Sequence, residues 1–237
     1  MAGALHTTVP VCNWTFLMLK DTSTPPIQKL NIRTFNNSIL VTKITGKHDW
    51  DLGKLRFEGW VYRSHCKNKC GLRYLLVFTI LLNPFSRGSV KLRSSNTNDA
   101  PIIKSGYFED NRDVDTMIRG INKFKQLVTT TRFKSLKSSI IKFPIPKCDP
   151  LPYPSDEYEK CYIKYFSAFL WHPSGTCKMG KSNDATSVVD SRLKVRGFSY
   201  LRVADASVMP VITTGNTQCP TYAIGQKAAD LIKAAWM

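Results

Sequence analysis

Two stretches decide the reading of this chain: His172–Gly180, HPSGTCKMG, and Val188–Lys233, VVDSRLKVRGFSYLRVADASVMPVITTGNTQCPTYAIGQKAADLIK. Tyr200-Leu-Arg-Val-Ala204 predicts a short strand, followed by a loop through Gly215. Pro220 stands near the start of a helix that carries Ala223, Ile224, Ala228, Leu231, Ile232 and Ala235 on one side. His172 lies between Trp171 and Pro173 with Gly175 just beyond, so the backbone behind it is unusual and aims the ring. An imidazole is well suited to take a proton near neutral pH. A lone histidine beside aromatics is also the mark of an ordinary core residue. Thr213-Thr-Gly-Asn-Thr-Gln-Cys-Pro220 is a polar turn ahead of the helix. It reads either as a capping loop or as a place where helix N–H groups meet an electron-rich ligand edge.

Gly175-Thr-Cys-Lys-Met-Gly-Lys-Ser182 matches the phosphate-loop pattern G-x-x-x-x-G-K-[ST] letter for letter. That loop works only when a helix follows at once and free N–H groups face the phosphate. Asn183–Asp190 reads instead as loop then strand, which argues against a nucleotide site here.

Upstream, Tyr74–Leu82 predicts a buried strand. Asn83–Gly88 is a turn and Ser89–Ser94 alternates, so the two runs predict a hairpin. Asp99–Ser105 continues as extended chain or loop. Near Asp113 the period becomes helical, with Val114, Ile118, Ile121, Lys125 and Val128 in register and Met117, Phe124 and Leu127 widening the stripe. Asp110, Asp113 and Asp115 suit the helix start. After a Pro-rich break at 144–154, Ser155 predicts a cap for a second helix, with Tyr158, Cys161, Tyr162, Tyr165, Phe166 and Phe169 making a broad apolar-aromatic face. Leu30–Phe35 and Ser38–Ile44 are β-prone.

The 237 residues are 43% hydrophobic and 22% charged, which allows a sizeable core and excludes a disordered chain. The longest apolar runs, Leu75–Phe78 and Ile80–Leu82, fall far short of the ~20 residues of a membrane span. Net charge is +17, yet residues 151–237 hold only 10 basic and 7 acidic groups. The densest block has eight basic residues and no acid between Asp115 and Asp149. Its sparse aromatics (Phe124, Phe133, Phe143) favour a solvated basic face, and no nucleic-acid partner is expected. Seven cysteines are too few for a disulfide scaffold, and the odd number leaves at least one unpaired. His65-Cys66-x-x-x-Cys70 lacks a second ligand pair, so the cysteines read as ordinary thiols and no metal is assigned. The first twenty residues make a poor signal peptide.

Together, HPSGTCKMG and the Val188–Lys233 run closely resemble the C-terminal signature of the glucose-methanol-choline (GMC) oxidoreductases, the insect glucose dehydrogenase-like members in particular. ILLNPFSRGSVKLRSS (80–95), the helix after Asp113 and CYIKYFSAFLWHP (161–173) extend the resemblance over residues 74–237. The resemblance implies an α+β fold. Its parts are an antiparallel-sheet substrate-binding domain with flanking helices and the C-terminal strand and helix of a truncated, Rossmann-like FAD domain. Residues 74–237 are then the GMC C-terminal domain, and residues 1–73 an N-terminal segment, a remnant of the FAD domain. The implied cofactor is FAD and the implied substrate a small alcohol or sugar. His172 matches the family's active-site base. Asn216 matches the second active-site position. Asp205, Ala206, Asn216 and Thr217 match segments that approach the flavin. No G-x-G-x-x-G fingerprint occurs in the sequence, so the same fold serving as a non-catalytic binding domain is the alternative.

Overall fold

The computed structural model describes residues 73–135, 137, 139–142 and 144–236, together with the strand backbones of residues 13–21, 39–44, 56–57 and 60–61. The strands are β1 (Asn13–Asp21), β2 (Ile39–Ile44), β3 (Arg56–Phe57), β4 (Trp60–Val61), β5 (Arg73–Ile80), β6 (Ser89–Lys91), β7 (Ile102–Lys104), β8 (Ser139–Ile141) and β9 (Ser167–Phe169). The helices are α1 (Asn111–Val128), α2 (Thr131–Ser135), α3 (Asp156–Phe166) and α4 (Gln218–Trp236), with a 3-10 turn at Ala206–Val208. The chain is therefore mixed helix and strand with a small open antiparallel sheet. Leu30–Phe35 and the His65–Cys70 cluster lie outside the described residues. No helix among the described residues is long and apolar enough to cross a membrane.

The chain divides into two compact units. One is built from Asn13–Leu81 and Val114–Ala168. Its sheet runs β2-β5-β1-β8, with β9 also on β1. Strand β5 is rich in β-branched and aromatic residues, and along it Val77 and Thr79 are buried while Phe78 and Ile80 are half-exposed. It pairs antiparallel with β1 from Trp14↔Ile80 to Asp21↔Arg73 and with β2 from Ile39↔Thr79 to Ile44↔Tyr74. Val114, Met117, Ile118, Ile121 and Phe124 of α1 are buried at helical spacing. Gly120 is required for the approach of α1 to β5, since a Cβ there would lie 2.6 Å from Thr79 Cγ2. Helix α3 is capped by Ser155, whose hydroxyl accepts from the Tyr158 N–H at 3.1 Å. Its Tyr158 and Tyr162 form a buried cluster with Ile145 and Cys148. Glu159 is buried against Lys125 of α1, a cross-helix ion pair.

The other unit contains Leu82–Asp113 and Phe169–Met237. Here the hairpin expected between β5 and Ser89–Ser94 does not form. Strand β6 pairs with β7 instead, Ser89↔Lys104 to Lys91↔Ile102. Both edges of β5 are already taken by β1 and β2. The intervening loop is held elsewhere: the Asp113 carboxylate, 1% exposed, accepts the N–H groups of Phe85 and Ser86 at 2.8 Å each. The strand expected at Tyr200–Ala204 is reduced to a single bridge, Lys194↔Arg202, flanked by the Val195 N–H to Leu201 O and Val203 N–H to Leu193 O bonds. Left-handed backbone at Leu193 (φ 62°) and Gly197 (φ 82°) turns the chain too tightly for a longer ladder.

The cysteine reading is corrected in one place. Cys148 and Cys161 form a disulfide across a sequence separation of 13, and Cys177 and Cys219 are free. Closing a loop of this size is worth about 3 kcal/mol through the unfolded chain. Cys161→Ser is therefore expected to lower the unfolding free energy of this unit by about 2–3 kcal/mol in urea titrations, and reductant is expected to add nothing in that variant. An unchanged midpoint would show that the bond does not constrain the chain.

Candidate functional site

The site assembles on the loop that follows β9. Trp171 has φ 54°, a left-handed conformation rare for a bulky residue, and the residue is 75% exposed. That turn sets the direction of His172 immediately after it. Gly175 (φ 80°) then reverses the chain into an extended run. The N–H groups of Gly175, Cys177 and Met179 donate to the carbonyls of Ala206, Ser207 and Val208 at 3.3, 2.9 and 2.9 Å. The His172 loop is thereby registered on the 3-10 turn. Asp205 caps that turn, its Oδ1 accepting the Ser207 N–H at 2.7 Å. A core of Val189, Leu193, Val208 and Ala228 lies beneath, and Ile224 and Leu231 of α4 pack on it. Burying each of its Val and Leu side chains is worth about 1.5–3 kcal/mol. This cluster places the N-terminus of α4, and with it Asn216 and Thr217.

The result brings together residues 44 and 45 positions apart in sequence. His172 Nε2 lies 3.1 Å from Asn216 Oδ1, and His172 Nδ1 lies 2.9 Å from Thr217 Oγ1. His172 is half-buried, Asn216 exposed and Thr217 only 7% exposed. One ring nitrogen thus faces an exposed amide and the other a buried hydroxyl. Of the residues named from sequence, His172, Asn216 and Thr217 meet side chain to side chain. Ala206 is tied to the His172 loop by the Gly175 N–H, and Asp205 caps the turn that carries it. The resemblance puts Thr217 in a segment that approaches the flavin and assigns nothing to its hydroxyl. A Thr at the residue before the helix, with Pro220 removing the N–H of the third helical position, was the available signal.

The phosphate-loop match fails on its donors. The N–H groups of Gly175, Cys177, Met179 and Gly180 are all given to backbone carbonyls, and the Gly180 and Lys181 carbonyls accept from Arg196 at 2.8 and 2.7 Å. No helix follows Ser182. Among the described residues no group of His, Cys, Asp and Glu is arranged to hold a metal ion.

The profile of the GMC oxidoreductase C-terminal domain matches residues 84–225. The chain belongs to the GMC oxidoreductase family. It is similar to glucose dehydrogenase (FAD, quinone) of Drosophila pseudoobscura pseudoobscura, 38% identical over 164 residues that make up 69% of this chain and 26% of that protein. It is also similar to ecdysone oxidase of Spodoptera littoralis, 38% identical over 159 residues, 67% of this chain and 25% of that protein. In structure it is similar to formate oxidase of Aspergillus oryzae RIB40, with TM-score 0.59 and 34% identity over 73% of this chain and 29% of that one. The match spans about a quarter of the length of these curated relatives.

The loop that carries the site is braced by Asp184. The Thr186 hydroxyl (2.5 Å), the Lys178 ammonium (3.0 Å) and the Thr186 N–H (2.9 Å) hold its carboxyl at a pKa of about 2. A depressed carboxyl contributes stability above its unfolded pKa and loses it as pH falls through the folded value. The brace is therefore expected to be intact at pH 4 and to release as pH falls towards 2. A carboxyl carbon NMR titration checks this: the Asp184 midpoint should lie near 2, and Thr186→Val should raise it.

Proposed function

We propose that the chain carries the substrate-side half of an FAD-dependent oxidation of an alcohol or sugar hydroxyl. The observation that carries this reading is the 3.1 Å approach of Asn216 Oδ1 to His172 Nε2. Oxidation of a carbinol removes a proton from oxygen and a hydride from carbon. His172 Nε2 takes the proton, and the Asn216 amide holds the substrate oxygen in reach of it. No side chain accepts hydride, and FAD, when bound, supplies that acceptor.

The residues fit the ring end of such a cofactor. Nε2 of His172 and the amide of Asn216 face the exposed side of the site, and the polar α4 N-terminus with the Asp205–Ala206 and Thr217 backbone suits an electron-rich ring edge. They offer no cradle for its pyrophosphate, since the N–H groups of Gly175, Cys177, Met179 and Gly180 are given to backbone carbonyls and the sequence has no G-x-G-x-x-G turn. On this reading residues 74–237 are the GMC C-terminal domain and residues 1–73 a remnant of the flavin domain. The Lys194–Arg202 bridge and α4 are the last strand and helix of that Rossmann-like domain. The exposed Tyr222, Ile232 and Trp236 of α4 support this assignment, because a flavin domain has further elements to cover them. The absent fingerprint favours a second reading, in which the same fold binds without chemistry.

One experiment separates the two. The chain alone is expected to retain FAD substoichiometrically on purification. With FAD in excess, dye reduction driven by alcohols or sugars is expected, and His172→Ala should lower it by about 10²–10⁴-fold. Reduction that His172→Ala leaves unchanged removes the base assignment, and none with any hydroxyl substrate leaves the binding-domain reading.

A further inference from the structure

The two nitrogens of His172 meet different surroundings. Nε2 faces the exposed Asn216. Nδ1 faces the buried Thr217 hydroxyl. A neutral imidazole carries one N–H, and the hydrogen bond at one nitrogen decides which form prevails. If His172 is the base, the lone pair must sit on Nε2, and the proton of the neutral ring on Nδ1. We propose that Thr217 is a positioning residue whose hydroxyl oxygen accepts from Nδ1–H and so keeps His172 in the tautomer that presents an unprotonated Nε2. This rests on the base reading of His172 above.

The geometry favours acceptance over donation at Oγ1. An N-terminal Thr commonly turns its oxygen to the N–H of the second or third helical residue. Here the third is Pro220, which has none. The Thr217 carbonyl is held by the Thr221 N–H at 3.0 Å and the Thr221 hydroxyl at 2.6 Å, so the backbone behind the side chain is fixed. A β-branched side chain is stiff about χ1, which keeps Oγ1 on Nδ1. The cycle of protonation also matters. Once Nε2 has taken a proton, both ring nitrogens donate, Nδ1 to Thr217 Oγ1 and Nε2 to Asn216 Oδ1, and both acceptors already stand in place. In the neutral ring, the Asn216 amide turns its NH₂ to the Nε2 lone pair. An accepting Thr217 therefore serves both states in one position, and the change of partner at Nε2 falls to the Asn216 amide, whose Oδ1 faces the protonated nitrogen and whose NH₂ faces the bare one.

The test reads the tautomer directly and needs no flavin. Long-range ¹H–¹⁵N spectra of the full chain, recorded above the titration range of histidine, distinguish a protonated ring nitrogen from a bare one. The His172 signals are those lost in His172→Ala. Wild type is expected to show Nδ1 protonated and Nε2 bare. Thr217→Ser should keep that pattern, and Thr217→Val, with similar shape and no hydroxyl, should lose it in favour of protonated Nε2. Protonated Nε2 in wild type overturns the proposal without any variant, as does a Thr217→Val spectrum identical to wild type. Failure of dye reduction with a protonated Nδ1 would instead count against the oxidation reading alone.

Discussion

Three backbone hydrogen bonds govern the site: Gly175, Cys177 and Met179 onto Ala206, Ser207 and Val208. Leaving one such buried N–H without a partner costs about 1–3 kcal/mol, so the ladder holds the loop in one register. His172 stands three residues ahead of it and inherits that register. Val208 is fully buried and belongs both to the ladder and to the cluster under α4. The same residue therefore couples the loop bearing His172 to the helix start bearing Asn216 and Thr217. Hydrogen-bond geometry at the histidine is a consequence of main-chain pairing and packing, not of long flexible side chains finding each other.

The unit built around the sheet is held by different means. Helices α1 and α3 are joined by the Lys125–Glu159 pair, and α3 is tied to the preceding loop through Cys148–Cys161. Lys142 sits near Asp149, 3.4 Å away, and over the Tyr158 ring at 4.8 Å. Burial pushes the Tyr158 phenol up to about 12 and the Tyr162 phenol well above its ordinary value, so both rings stay neutral neighbours to these cations. Lys125 and Lys142, members of the dense basic block, are thus engaged within the fold. A surplus of charge in sequence is not a surplus of free charge on a surface.

Helices α1 and α3 were legible because period and capping agree: the apolar stripe, the acidic first turn and Ser155 all point one way. Strand β5 was legible from composition. Its partners were not, because pairing depends on which edges are free, and the Asp113 carboxylate that diverts the loop lies 27 and 28 residues from the N–H groups it binds. The Cys148–Cys161 bond was hidden among seven cysteines, where spacing alone does not choose a pairing. At the site, His172 and Asn216 were named through resemblance. Nothing local in sequence brings together residues 44 apart. The Thr217 hydroxyl was not legible as a partner of His172, since a Thr before a helix reads first as a cap.

The phosphate-loop match shows what a motif needs beyond its letters. In a working loop the glycines free the backbone so that N–H groups turn towards phosphate. Here the same letters meet a different demand. Gly180 is required because a Cβ would lie 2.6 Å from Ser187 Cβ and 2.7 Å from Asp184 Oδ2. Its N–H goes to Val189 O at 3.1 Å. The lysine two positions before it pairs with Asp184, and Arg196 takes the carbonyls of Gly180 and Lys181. The Gly180 N–H, the Gly180 and Lys181 carbonyls and the Lys178 ammonium are thus spent on holding the loop that follows His172. The glycines and Lys178 of GTCKMGKS are explained by rigidity at that loop, and a rigid loop is what a histidine needs if its two nitrogens are to keep separate partners.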